Sequence, residues 1–429
     1  MKKTPLLKSY TGATRMIAPA LPIWLNKRAK AGKEDKGRLS ERKGITTIAK
    51  PDGKLMWMHA ASVGESQMLL PLLNKFLQSF PNAYVLITTG TVTSAELLEK
   101  SLPERAIHQY APMDHPKAVK NFLNHWRPDA AIFAESELWP NMIMGANERR
   151  IPLALVNARM SANSIERWGK SLKTAKALLS CFSVILAANT ETANGLAWLC
   201  GHEVESAGNL KDAAAALPVN KEDLQDFKKA IGRRTVWCAT STHKGEEEFV
   251  ADAVLEIKSK RPSALLLLAP RHPERKDEIL KILDSRGLSV KCRSARELPD
   301  KDTDVFVFDT IGELGLVYRL TKVAFVGGSL VKGLAGHNPL EAARLDCAVI
   351  TGSHISSFAD TYMALIAFDG VKRILSPEQL APTVLELIKN TDARKTQIKS
   401  AHQYAKSRDD VLEYVWDKLS PVFQGIGQS

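Results

Sequence analysis

Four segments in the second half of this 429-residue chain combine glycines, hydroxyls and cations in the way a phosphate-bearing ligand requires. They are Thr240-Ser241-Thr242-His243-Lys244-Gly245, Pro270-Arg271-His272-Pro273, Asp309-Thr310-Ile311-Gly312-Glu313, and Gly327-Gly328-Ser329 running through Gly333 and Gly336 to His337-Asn338-Pro339-Leu340-Glu341. Glycine lets backbone approach a ligand closely. Helix N-termini and hydroxyls suit a phosphate, and Arg271 can pair with one by charge. The last segment has two open readings. Asn338, Pro339 and Glu341 fit Ncap, N1 and N3 of a following helix, a capping box. A carboxylate at that position could equally accept hydrogen bonds from ribose hydroxyls. Neither GxGxxG nor GxxxxGK[ST] occurs, so dinucleotide redox chemistry and P-loop hydrolysis lack their signatures.

The first half carries acidic chemistry. In Ser62-Val63-Gly64-Glu65-Ser66, Ser62 and Glu65 read as a second capping box, or Glu65 reads as a general base kept ionised by the helix terminus. Glu135-Ser136-Glu137-Leu138-Trp139-Pro140-Asn141 is another acidic strand end, with Pro140 expected in the first helical turn and one glutamate free to act as a mere cap. Lys211, in Gly208-Asn209-Leu210-Lys211, is either a cation reaching an anionic group or a solvated linker lysine. Asp302-Thr303-Asp304 resembles a metal-binding DxD but precedes a strand, the wrong end for this site, and reads as surface. No HExxH or other zinc spacing occurs, so no metal site is expected.

These segments need scaffolding that holds them at strand ends. From residue 55 short apolar runs alternate with amphipathic stretches. Strands are expected at Leu55–Ala60, Tyr84–Thr88, Ala130–Ala134 and Leu153–Val156, with helices at Gln67–Phe80, Ser94–Lys100 and Leu138–Arg149. The alternation weakens over Asn209–Arg234, then restarts with strands at Val236–Ala239, Ala264–Ala269, Val305–Phe308, Val323–Val326 and Ala348–Ile350. Helices are expected between them at Gly245–Ser259, Lys276–Arg286, Gly312–Arg319 and Pro339–Leu345. Continuous apolar strands joined by helices imply parallel sheets covered on both faces. The expected architecture is α/β, with two Rossmann-like domains and the active site in the cleft between them, since ligands of such sheets sit beyond the strand carboxyl ends. The domains are residues 45–215 and 216–429, preceded by a basic segment over residues 1–44.

Hydrophobic residues at 45% and charged residues at 25% are ordinary globular values, which leaves disorder aside. Five scattered cysteines with no CxxC pair argue against a disulfide framework and a cysteine zinc site, and fit a reducing compartment. The net charge is +12, of which +9 falls in residues 1–44. Within them an apolar run, Met16 to Leu25, contains two prolines and precedes Lys27, Arg28, Lys30 and Lys33. It is too short to span a bilayer. An apolar run with Trp24 followed by cations suits an anionic membrane surface; a basic, partly disordered arm is the alternative. Little aromatic interleaving and no reader motif exclude nucleic acid as a partner.

In order, His59-Ala60-Ala61-Ser62-Val63-Gly64-Glu65, Glu135 to Asn141, Asn157-Ala158-Arg159-Met160-Ser161, Gly208 to Lys211, Ser241-Thr242-His243-Lys244-Gly245-Glu246-Glu247, Pro270 to Arg275 and Gly327 through Glu341 resemble the bacterial 3-deoxy-D-manno-octulosonic acid (Kdo) transferases. The resemblance spans residues 40 to 360. It implies a GT-B glycosyltransferase that moves Kdo with inversion from CMP-Kdo to a lipid A precursor (lipid IVA) in lipopolysaccharide biosynthesis. CMP-Kdo is then the donor substrate and no cofactor or metal is needed. The resemblance makes Glu65 the base and Glu135 and Lys211 assisting residues. Arg271, His272, Gly312, Glu313, Leu314, Asn338, Pro339, Leu340 and Glu341 would hold CMP. It also implies a peripheral or monotopic place on the cytoplasmic face of the bacterial inner membrane. Two other readings stay open: a GT-B enzyme using a UDP-sugar, and a non-catalytic module that binds nucleotide or lipid at a membrane surface.

Overall fold

The computed structural model describes residues 3–213, 217–408 and 410–427. The chain forms two compact units, Met1–Ala214 with Asp410–Ser429, and Ala215–Asp409. The expected boundary between residues 215 and 216 lies outside the described residues.

In the first unit the described strands are β1 (Leu55–His59), β2 (Tyr84–Thr89), β3 (Ala106–Tyr110), β4 (Ala130–Ala134), β5 (Leu153–Ala158), β6 (Val184–Ala187) and β7 (Glu205–Ser206). They pair in the order β3-β2-β1-β4-β5-β6-β7, and every pairing is parallel. All residues of β1 and β4 are buried. Alternate side chains of each strand face opposite layers: Trp57 and Phe133 pack with Phe122 and Trp126, whereas Met56, Met58 and Ile132 pack with Leu69, Leu72 and Phe76. A strand buried on both faces has no polar side, which is why these runs read as continuous apolar sequence.

The second unit repeats the plan with β8 (Val236–Thr242), β9 (Leu265–Pro270), β10 (Val290–Cys292), β11 (Val305–Val307), β12 (Val323–Val326), β13 (Ala348–Thr351) and β14 (Val371–Arg373). Their order is β10-β11-β9-β8-β12-β13-β14, again parallel throughout. In each sheet the strand order reverses about one adjacent pair, β1 and β4 in the first, β8 and β12 in the second. Loops leaving the carboxyl ends of such a pair diverge and open a crevice.

Three expectations need correction. Residues 410–427 belong to the first unit, because Val411, Val415, Leu419, Val422 and Phe423 bury themselves with Met68, Leu72 and Phe76. The stretch 209–234, where the alternation weakens and no element was expected, contains the helix Lys221–Ile231, capped by Asn220 and anchored by Phe227 and Ile231. Its largely charged surface hides that apolar stripe. Residues 1–44 are not a separate segment. Helix Pro5–Ile17 buries Leu7, and Tyr10 donates to Asp114 at 2.8 Å. Thr11 donates to Asn141 at 3.0 Å, and the backbone N–H of Tyr110 donates to Glu41 at 2.7 Å. The run Met16–Leu25 is helical apart from the 3-10 turn Ala18–Ala20.

Candidate functional sites

At the β1–β4 reversal, β1 runs out through Ala60 and Ala61 into helix Val63–Ser79. Ser62 caps it, accepting from Glu65 N at 3.4 Å. The Glu65 carboxylate reaches back, accepting from Ala61 N at 2.7 Å and from the Ser62 hydroxyl at 2.9 Å. The expected capping box therefore exists, with Ala61 rather than Ser62 supplying the backbone donor. It does not saturate the carboxylate, which has about four lone-pair directions. Burial pushes the Glu65 carboxyl above its ordinary value; the two hydrogen bonds oppose the shift, and the charges of Glu137 and Glu135 add to it. Stabilisation of the ionised form at the helix start is thus not the largest influence on this carboxyl; burial is. A carboxylate so raised is a stronger base.

The neighbouring strand end supplies the rest. Glu135 follows β4 in the left-handed region, at φ 50°, and its Oε1 lies 2.6 Å from Lys211 Nζ. Asn157, also left-handed at φ 51°, donates to Glu135 Oε1 at 3.3 Å and accepts from Leu210 N at 2.9 Å. One side chain thereby fixes both members of the ion pair. A Cβ placed on Gly64 would lie 4.0 Å from Lys211 Nζ, so the ammonium stands beside the first turn of the Glu65 helix. Lys211 is thus no solvated linker residue. Neither glutamate caps the helix Pro140–Glu148, which begins two residues after the expected Leu138, with Pro140 in its first turn as expected. Glu137 instead lies 3.3 Å from buried His59 Nε2 and accepts from Trp139 Nε1. Burial works against its ionisation, but His59 and Trp139 win and hold its carboxyl below the ordinary value. His59, Glu137 and Asn157 stand in segments that the sequence singles out, but the contacts of Asn157 and the pairing of His59 with Glu137 were not read from it. An asparagine closing an apolar strand was the available signal.

In the second unit, Arg271, Gly312, Glu313 and Leu314 line one crevice of about 90 Å³ together with Ser241 and Thr310. Arg271 is exposed. Gly312 sits at φ 90°, a conformation that favours glycine. Glu313 is tied to Arg293 at 2.7 Å. The expected capping box is shifted by one residue: the N-cap of the short helix Leu340–Ala343 is Pro339, with no side-chain cap, and Asn338 before it accepts from Leu340 N at 3.0 Å. Glu341 behaves otherwise than a cap: burial pushes its carboxyl up to about 7, with Arg271 and Arg344 opposing. His272 stands apart from the crevice lining, exposed and paired with Glu274 at 3.0 Å.

At the β8–β12 reversal the loops are clasped to each other. His243 Nε2 and His337 Nε2 are 2.9 Å apart, with the rings nearly parallel. Burial and the nearby charge of Arg271 hold His337 down at about 4, so it is neutral at neutral pH. Buried Glu247 receives Arg275 at 3.0 and 3.3 Å. The Asp302-Thr303-Asp304 turn, expected at the surface, is so only at Asp302. Thr303 and Asp304 are buried, and Asp304 accepts from Ser289 N at 3.0 Å and pairs with Lys258 at 2.5 Å. It secures the start of β11. All five cysteines are buried, as small core residues.

Residues 37–214 match the family model for 3-deoxy-D-manno-octulosonic-acid transferase (kdotransferase). The chain is 34% identical to the probable 3-deoxy-D-manno-octulosonic acid transferase, mitochondrial, of Arabidopsis thaliana, covering 97% of this chain and 96% of that one. It is 32% identical to the 3-deoxy-D-manno-octulosonic acid transferase of Haemophilus influenzae, over 97% and 98% of the two chains. Among solved structures it resembles a UDP-GlcNAc 2-epimerase from Neisseria meningitidis with a TM-score of 0.57, 14% identity, and 86% and 100% coverage. A glycosyltransferase from Rickettsia africae gives 0.55, 11%, and 88% and 100%. At such identities the two structures speak for the fold alone, which is of the GT-B class with two Rossmann-like units.

Proposed function

The chain belongs to the 3-deoxy-D-manno-octulosonic acid transferase family and is a glycosyltransferase, and from that premise we propose that it transfers Kdo from CMP-Kdo to a lipid A precursor with inversion at the anomeric carbon. Glu65 accepts the proton of the attacking acceptor hydroxyl. The observation that carries this role is its carboxylate, raised by burial at the β1–β4 reversal yet with lone pairs to spare. Glu135 and Lys211 assist at the reacting centre as a mutually fixed ion pair. The crevice of Arg271 and Gly312–Leu314, with Asn338 to Glu341, holds CMP. The charge that develops on the departing CMP is confined to one phosphate, which cationic side chains and backbone donors can stabilise. No cofactor enters this scheme.

The place of action we propose is the cytoplasmic face of the inner membrane. Met16, Ile17, Ile23 and Trp24 are exposed apolar side chains on the N-terminal helices, and Arg15, Lys27, Lys30 and Lys33 are exposed beside them in sequence. That combination suits shallow insertion among anionic headgroups. No described helix is long and apolar enough to cross a membrane.

Mass spectrometry of the product from purified protein, CMP-Kdo and a tetra-acylated disaccharide acceptor tests the transfer. Mass increments of whole Kdo residues are expected, with the anomeric configuration of the new bond opposite to that of the donor. Turnover of UDP-sugars with none of CMP-Kdo would sink the assignment.

A further inference from the structure

The glycine turn after β12 has the form of an anion-binding nest, yet the protein fills it itself. Three consecutive N–H groups converge there, those of Gly328, Ser329 and Leu330. Consecutive donors of this kind make a concavity that elsewhere takes phosphate. Here Glu246 Oε2 accepts from Gly328 N at 2.7 Å, and Oε1 accepts from Ser329 N and Leu330 N, each at 2.9 Å. A fourth donor, His243 N, reaches Oε2 at 2.9 Å from the loop after β8. Glu246 is fully buried. Four donors match the roughly four lone-pair directions of a carboxylate, which is what a buried charge needs to be tolerated.

The geometry leaves no room for a phosphate in the same place. A Cβ on Gly327 would come within 3.0 Å of Glu246 Oε2 and within 2.9 Å of Ser241 O, so the two loops are already in contact. What the turn passes on is position. Gly336 N donates to Gly328 O at 2.8 Å, and a Cβ on Gly328 would strike His337 at 2.7 Å. The turn therefore fixes the start of the segment His337 to Glu341.

We infer that Glu246 is a positioning residue for donor binding: an internal carboxylate that occupies the glycine nest in place of a phosphate and locks the β8 and β12 loops so that Asn338 to Glu341 are presented to the nucleotide. This rests on the reading of Asn338–Glu341 as part of the CMP site. It separates the nest, which is structural, from the groups that meet the donor.

Glu246→Gln keeps the shape but turns an amide NH2 toward two of the four donors. Glu246→Asp keeps the charge and withdraws it by one methylene, and carries the test if the glutamine variant does not fold. Two measurements are read on the full-length protein. Amide hydrogen exchange at Gly328, Ser329 and Leu330 is expected to accelerate in either variant, by at least about tenfold. CMP affinity by calorimetry and KM for CMP-Kdo are expected to worsen by at least about tenfold, with kcat and the acceptor KM changed less than about threefold. Unchanged or tighter CMP binding would overturn the inference, since it would mean that the nest serves phosphate once Glu246 is gone. A fall in kcat alone would also overturn it. If the unaltered protein binds no CMP, the proposed function fails, and the exchange measurement still decides whether Glu246 locks the nest.

Discussion

Glu65 holds the start of its helix and, as the base proposed here, would serve the chemistry with the same carboxylate. Its carboxylate closes the capping box that starts a 17-residue helix, and the same burial that makes the box firm raises its proton affinity. The sign of the pH effect follows. A base must be unprotonated to work, so activity falls as pH drops through the raised value. The acidic limb of kcat/KM is expected above the ordinary carboxylate range, with a loss of about tenfold per pH unit below it. Glu65→Gln is expected to abolish turnover while leaving CMP affinity unaltered; wild-type turnover in that variant would remove Glu65 as the base. Lys211 gives a second prediction. Lys211→Met leaves Glu135 partly buried without its 2.6 Å partner, and kcat is expected to fall about 10²–10³-fold. Single-turnover kinetics on protein of unchanged melting profile would check it. Glu65 was visible in the sequence as a carboxylate after a strand, and Lys211 as a candidate cation in the stretch where the alternation weakens. The contacts that hold them were not. Asn157 binds Glu135 and the backbone of Leu210 across 22 and 53 residues of chain, and only the parallel sheet brings those together.

At the scale of elements, long apolar runs were legible because a strand covered on both faces has only one way to read. Ala130–Ala134 and Val323–Val326 begin and end where the sequence places them. Shorter or more polar elements were not legible. β3 has only two buried residues, β7 has both of its residues exposed, and β10 is three residues long. The C-terminal helices Asp410–Lys418 and Ser420–Phe423 show a different limit. Their apolar stripe says that they pack, but not on which sheet. They cover the helix Val63–Ser79, the element that carries Glu65. Leu419→Ala, at a fully buried position, is expected to cost about 2–5 kcal/mol in the first unit. Denaturant unfolding followed by tryptophan fluorescence reads it, and a change below 0.5 kcal/mol would show that the C-terminal helices do not hold that unit together.

Taken as a whole, the chain builds one unit, completes a second, and returns to finish the first. Its charge is equally uneven, with most of the +12 in the first 44 residues. Those residues fold onto the first unit through Leu7, Tyr10 and Glu41 yet leave Ile23 and Trp24 exposed at 75% and 44%. Replacing both by serine is expected to weaken binding to vesicles rich in anionic lipid by about tenfold, since partial burial of two such side chains contributes roughly 1–2 kcal/mol. Flotation with anionic and neutral vesicles measures it. Equal binding of the variant would place the contact elsewhere.

Sequence alone determined the family and the two-fold repetition of an α/β plan, and it singled out Glu65, Glu135, Lys211 and the glycine turn as the candidates for chemistry. Those depend on residue type and local spacing, which the chain writes directly. Tertiary structure decided what those residues do to one another. It raised Glu65 by burial, set Lys211 against Glu135, returned the C-terminus to the first unit, and gave the glycine nest to Glu246. Each of those outcomes depends on desolvation or on contacts between segments far apart in sequence, and neither is encoded in the spacing of neighbours.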